Sequence, residues 1–236
     1  MLAIETLNQF YGESHTLWDL DLNVPAGQCT CVMGRNGVGK TTLMKAIMGE
    51  VTVASGSIRY TQEQGEETEL TKKPIEARSR LGIGYVPQGR QIFPLLTVEE
   101  NLRTGLVARG DGVKKIPPRI FELFPVLEEM KHRRGGDLSG GQQQQLAIGR
   151  ALVIEPKLLI LDEPGEGIQP NIVAQIGQVI RRLIKEDGLT VLLVEQKLPF
   201  ARKYADRFVI MDRGRPVAKG NIGELSDELI KQHLTV

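Results

Sequence analysis

Cysteine, aromatic residues and long apolar runs are all scarce in this sequence, and each scarcity excludes something. Two cysteines occur in 236 residues, Cys29 and Cys31. They flank Thr30 in a strand-like run, where Thr30 points the other way, so a disulfide between them is excluded on geometry. Both read as small buried hydrophobes, not as a redox pair or metal site. No stretch of about 18 uncharged apolar residues exists that would cross a bilayer as a helix. Met1 through Phe10 lacks the basic start, apolar run and cleavage site of a secretory signal, so a cytoplasmic chain is expected. An excess of one charge is missing too: 30 Lys and Arg against 29 Asp and Glu leave a net charge of +1. That argues against nucleic acid as a partner, because phosphate binding needs clustered cations. The short basic group Lys131 to Arg134 reads as solvated surface.

What is present is an ordinary globular balance, 41% hydrophobic and 25% charged, on a length able to bury one sizeable core with a subdomain set into it. Asp19 to Val24 alternates polar and apolar with period two, so an antiparallel sheet is expected to open the fold. Gln28 to Met33 reads as a strand, Thr41 to Met48 as a helix with Gly49 as its stop, and a Gly-rich loop joins them. Thr61 to Lys73 is polar and reads as an exposed turn or hairpin tip. Residues 89–155 turn helical, with punctuation at Pro94, Gly110, Gly112 and Pro117-Pro118, and the core resumes at Leu158. Strand and helix then alternate: Leu158 to Leu161, a helix carrying Val173, Ile176, Ile180 and Leu183 between Pro170 and Gly188, then Thr190 to Val194 and Phe208 to Met211. The expected fold is α/β, with a parallel sheet that binds its ligand at the strands' carboxyl ends. Its core is built from 1–88 and 156–236, with 89–155 inserted as a helical subdomain.

Two motifs carry chemistry. Gly34-Arg35-Asn36-Gly37-Val38-Gly39-Lys40-Thr41 fits G-x-x-x-x-G-K-[ST] between a strand and a helix. Glycines let backbone amides converge on phosphate oxygens, and the helix start presents its positive end to the same anion. Lys40 is suited to the β- and γ-phosphates, Thr41 to Mg2+, and Thr42 completes the nucleotide-binding set. The plain alternative, a turn with a solvated lysine, does not account for the strand–loop–helix setting. The second motif is Leu158-Leu159-Ile160-Leu161-Asp162-Glu163, an apolar strand ending in two acids. Packing does not call for that ending. Asp162 is suited to Mg2+ and Glu163 to the attacking water, the alternative being that both cap the next turn.

Leu138-Ser139-Gly140-Gly141-Gln142 is similar to the signature of the ABC ATPases, and its place between the Lys40 loop and the Asp162 strand matches that family from about residue 2 to 220. Ser139 and Gln142 also form an N-capping box by spacing. The resemblance implies a P-loop ATPase fold and an ATPase using ATP and Mg2+. It implies that Ser139, Gly140, Gly141 and Gln142 bind the nucleotide of a partner cassette in a head-to-tail dimer. It further implies Tyr11 as the adenine-stacking aromatic, Gln88 as the glutamine that senses metal and water, and Glu166-Gly167-Ile168-Gln169 as the D-loop. Two positions depart from the family pattern: Gln196 stands where a switch histidine is common, and Gly165 where Thr or Ser is usual. Gln196, the wording Glu166 to Pro170 and Gly89-Arg90-Gln91-Ile92-Phe93-Pro94 resemble the branch serving branched-chain amino acids, amides and urea. Asn8 to His15, Gln142 to Gln145 and His233 to Val236 resemble its urea-transporter ATPases. The implied partners are two integral membrane permease subunits, a second related ATPase or a second copy, and indirectly a solute-binding protein, with the chain on the inner face of the plasma membrane. The rival readings are an ABC ATPase acting on nucleic acid or ribosomes, against which stand a single cassette and no basic stripe, and a non-hydrolysing regulatory module, against which stands Glu163.

Overall fold

A computed structural model describes residues 1–62 and 65–234 of the chain. Strands β1 (Leu2–Tyr11) and β2 (Ser14–Val24) pair antiparallel, from Leu2 opposite Val24 to Tyr11 opposite Ser14. The period-two pattern decides which face of β2 is dry: Leu20, Leu22 and Val24 are buried while Asp19, Asp21 and Asn23 face out, and a register shift between Leu17 and Leu20, with Asp19 at φ +42, brings Leu17 onto the same dry face. β3 (Cys29–Met33) is buried throughout and leads through the Gly-rich loop to α1 (Lys40–Met48), which Gly49 ends in the left-handed conformation. β4 (Ser55–Thr61) joins β1, and β5 (Glu67–Glu69) joins β4, giving a first sheet of order β2-β1-β4-β5. The polar stretch Thr61 to Lys73 is therefore a hairpin end, as expected, with Glu63 and Gln64 outside the described residues. Its single Leu, Leu70, is fully buried and pins the hairpin to the core.

α2 (Ile75–Arg80) carries a buried guanidinium. Arg78 is 1% exposed and donates to the carbonyls of Ala46, Ile47, Leu70 and Lys73. Ala46 and Ile47 lie in the last turn of α1, where carbonyls lack partners within the helix and a positive charge is favoured. A Cβ at Gly49 would stand 2.7 Å from the Arg78 guanidinium carbon.

β6 (Ile83–Val86) follows. The next segment holds α3 (Val98–Arg109), capped by Thr97 and Glu100, then α4 (Arg119–Leu123), α5 (Pro125–Glu129) and α6 (Gly140–Leu152), capped by Ser139 and Gln142. β7 (Leu158–Asp162), α7 (Pro170–Asp187), β8 (Thr190–Val194), α8 (Leu198–Tyr204), β9 (Arg207–Asp212), β10 (Arg215–Asn221) and α9 (Asp227–His233) complete the described chain. Thr235 and Val236, part of one stretch that carried the urea resemblance, lie outside the described residues.

The second sheet runs β10-β9-β3-β8-β7-β6, parallel except for β10 against β9. Its strands feed two cores by alternation. Leu158 and Ile160 pack with α1 and the antiparallel sheet, whereas Leu159 and Leu161 pack with α6, α7 and α8. Cys29 and Cys31 share the latter core, free and buried, and burial raises both thiols well above their ordinary pKa. This layered α/β arrangement, parallel sheet beside an antiparallel one, is the fold expected from the sequence.

Candidate functional site: a phosphate cavity and a separate signature groove

The loop between β3 and α1 is shaped by glycine. Gly34 has φ +151, and a Cβ there would meet the Met211 carbonyl oxygen at 2.5 Å and Val38 at 2.9 Å. No other residue fits without moving the strand beside it. α1 then starts at Lys40 with no side-chain cap and no acid in its first turn among the described residues, which leaves its first amides for an anion. Lys40 is 5% exposed, and its Nζ donates to the carbonyls of Gly34 and Arg35 at 2.8 Å each. Burial lowers its pKa, while Glu163 and Asp162 pull the other way.

Asn36, Gly37, Gly39, Lys40, Thr41 and Thr42 line a cavity of about 700 Å³ together with Gln88, Glu163 and Gln196. Those last three follow β6, β7 and β8, so they meet at the carboxyl ends of parallel strands. The Glu163 backbone is left-handed at φ +51, a conformation that costs a non-glycine residue about 1 kcal/mol or more. One carboxylate oxygen of Glu163 accepts from Gln196 Nε2 in a short contact, and the other accepts from Gln88 Nε2 at 3.4 Å. Gln196 Nε2 also donates to Asn36 Oδ1 at 2.8 Å, and Gln88 Nε2 to Glu166 at 2.9 Å. Glu163 is thus aimed into the cavity by two amides.

Asp162 lies beneath, 1% exposed, with neither oxygen in a hydrogen bond of normal geometry among the described residues. Burial pushes its pKa up to about 6, against the Thr41 hydroxyl, which favours the charged form. A buried carboxylate without a partner is costly, and a hard cation accepting oxygen ligands removes that cost. The residues therefore fit Mg2+.

Other sequence-expected residues lie apart. Val38 packs its side chain into the core, Arg35 is exposed, and Tyr11 ends β1 half-exposed, outside the cavity lining. Ser139, Gly140, Gly141 and Gln142 line a different groove of about 740 Å³, which none of the residues 34–42 borders. Gly167 borders both. Within that groove the capping box is formed, Gln142 Oε1 accepting from the Ser139 amide at 2.9 Å.

Sequence reasoning missed Thr16, Glu195 and Lys197, all of which line the phosphate cavity. For Glu195 a signal existed. It follows the apolar strand β8 as Asp162 ends β7, and an acid after a buried strand is the pattern that singled out Asp162.

Comparison with known proteins agrees with this geometry. The family described as ABC transporter matches residues 17–166. The chain is 44% identical over 218 residues to BraG of Pseudomonas aeruginosa, a high-affinity branched-chain amino acid transport ATP-binding protein, covering 92% of this chain and 91% of that one. It is 37% identical over 226 residues to LivF of Archaeoglobus fulgidus, a probable branched-chain amino acid transport ATP-binding protein, covering 95% and 94%. Among solved structures, an ATP-binding subunit of an ABC transporter superimposes with TM-score 0.81 at 30% identity, covering 98% of this chain and 92% of that one. A cassette in a dimeric post-hydrolysis state bound to ADP and Pi gives 0.83 at 25% identity, covering 94% and 99%. A family match over more than half of the chain, on a fold shared nearly end to end with solved cassettes, makes this protein a member of the ABC transporter family and an ATPase.

Proposed function

We propose that this chain powers an importer of small solutes by hydrolysing ATP at composite sites, each built from the phosphate cavity of one cassette and the Ser139 groove of another. The observation that carries this reading is the separation of the two halves: Lys40 and Ser139 line different cavities of the same chain. A second helix N-terminus suited to an anion, remote from the first, calls for a nucleotide held elsewhere. Pairing head to tail supplies it, and a similar cassette solved as a dimer with ADP and Pi supports the pairing of two cassettes.

In this mechanism the Lys40 ammonium and the α1 amides hold the β- and γ-phosphates. Thr41, Asp162 and the Gln88 carboxamide oxygen would hold Mg2+, which would neutralise phosphate charge. Glu163 accepts a hydrogen bond from a water facing the γ-phosphorus. As the water oxygen bonds to phosphorus and the bond to the ADP oxygen breaks, the water's proton passes to Glu163. Gln196 and Gln88 hold Glu163 in that direction. Gln196 differs from an imidazole in having no proton to gain or lose near neutral pH.

No helix of the described residues is long and apolar enough to cross a membrane. The solute path is assigned to two permease subunits fed by a solute-binding protein, with this chain peripheral on their inner face and a related cassette or second copy beside it. For the solute, the names of BraG and LivF support branched-chain amino acids. Asn8 to His15 and Gln142 to Gln145 support urea as the second reading. Reconstituting the chain with its permease and binding subunits in vesicles, then measuring ATP-driven uptake of leucine and of urea, tests both. Leucine uptake that Lys40→Ala abolishes is the expected result. Urea uptake alone moves the assignment to urea, and ATP hydrolysis without uptake of any small solute overturns the importer.

A further inference from the structure

Glu195 lines the nucleotide cavity, yet the chemistry above gives it no task. It is 3% exposed. One carboxylate oxygen accepts from the backbone amides of both Gln196 and Lys197 at 2.9 Å, while the other has no hydrogen-bond partner among the described residues. A carboxylate that is buried and only half satisfied is expensive to keep, and burial accordingly raises its pKa. Its own amide donates to Val32 of β3, fixing it beside the strand that leads into the phosphate loop.

The unsatisfied oxygen faces Gly165, where a Cβ would stand only 3.3 Å away. The absence of a side chain at Gly165 therefore leaves the room that the Glu195 carboxylate uses. The two segments are tied again next door, since Lys197 Nζ donates to the Gly165 carbonyl at 2.7 Å. A single side-chain oxygen that accepts from two successive amides fixes the turn after β8. That turn decides where the Gln196 side chain points, and it points to Asn36 and Glu163.

We propose that Glu195 is the positioning residue of the Gln196 amide, holding the turn after β8 by accepting from the Gln196 and Lys197 amides in the space left open at Gly165. The inference rests on the placement of Gln196 in the hydrolytic site proposed above.

The test uses the full chain, with steady-state ATP hydrolysis at protein concentrations that sustain turnover and binding of a fluorescent ATP analogue. Glu195→Gln keeps a carbonyl oxygen for both amides and should retain kcat within about threefold. Glu195→Ala should lower kcat about tenfold or more, with KM and analogue affinity within about threefold, because the nucleotide contacts are untouched. Added to Gln196→Ala it should cost little more, since the two act as a unit. Should Glu195→Ala fail to fold, Glu195→Asp keeps the charge but draws it back by one methylene, and should lower kcat in the same way. Wild-type kcat in Glu195→Ala or Glu195→Asp beside a slowed Gln196→Ala overturns this inference alone, as does equal damage in Glu195→Gln and Glu195→Ala. Wild-type kcat in Gln196→Ala removes Gln196 from the hydrolytic site, and the role of Glu195 falls with it.

Discussion

Replacing Asp162 by asparagine should stabilise the nucleotide-free chain while destroying its use of metal. Asp162 is 1% exposed, and burial lifts its pKa from 3.8 to about 6. Between those two pH values the folded chain holds a proton that the unfolded chain has released. Stability attributable to Asp162 therefore falls as pH rises from about 4 to about 6 and stays low above. At about 1.36 kcal/mol for each pH unit, keeping this group charged costs the fold about 3 kcal/mol at pH 8. Asparagine removes the charge but adds an amide N–H without a partner, worth about 1 kcal/mol the other way. The net gain is about 2 kcal/mol, or about 4–8 °C in Tm for a chain of this length. Thermal unfolding followed by circular dichroism in EDTA without nucleotide, from pH 4.5 to pH 8, measures it. The curves of wild type and Asp162→Asn should diverge with rising pH, the variant ending higher. Adding Mg2+ and ATP should reverse the order by raising the wild type more than the variant, which keeps its phosphate contacts but not its carboxylate for the metal. A variant no more stable than wild type at pH 8 in EDTA would refute the picture of an uncompensated carboxylate awaiting a cation.

Glu163→Gln should bind ATP with wild-type affinity but lower kcat by about a hundredfold or more, since a carboxamide accepts a hydrogen bond without taking the proton; calorimetry and phosphate release measure the two separately. A Ser139→Arg chain mixed with a Lys40→Ala chain should recover activity that neither has alone, because each pair then contains one intact composite site; no recovery would sink the composite arrangement. Arg78→Met should lower stability by about 2–3 kcal/mol, because four carbonyls lose the guanidinium and the buried Ile47 carbonyl is left without a donor among the described residues while those of Ala46 and Leu70 keep backbone amides, and an unchanged denaturation midpoint would count against that anchoring role.

Local pattern carried most of the fold. The alternation in β2, the apolar run of β7 and the helical spacing of Val173, Ile176, Ile180 and Leu183 in α7 each answer to contacts that a side chain makes by its period alone. Gly49 and Gly188 end α1 and α7 in left-handed conformations, as glycine after a helical pattern foretells. The cavity's floor was legible for the same reason, since the Gly34 to Thr41 motif is contiguous. What escaped depends on partners far away in the chain. Arg78 reads as a surface cation until carbonyls from α1 surround it, and Leu70 reads as a loop residue until the sheet covers it. Glu195 carries the same acid-after-strand setting as Asp162, but the amides it accepts from lie in the turn that follows, which no apolar period reports. That Tyr11 stands outside the cavity follows from how β1 is seated, which no local spacing encodes.

The contact between Gly49 and Arg78 has an evolutionary consequence. Any side chain at position 49 places its Cβ within 2.7 Å of the guanidinium and must also adopt φ +79, so a change there alone meets both a steric and a conformational barrier. Substitution of Arg78 alone leaves the last carbonyls of α1 without their cation. The effects are not independent, because shortening Arg78 first removes the steric half of the obstacle at Gly49. Of the two mutational paths between this pair and an alternative one, the path that shrinks position 78 before enlarging position 49 meets only the conformational strain at φ +79, whereas the reverse path must also displace the guanidinium from its carbonyls.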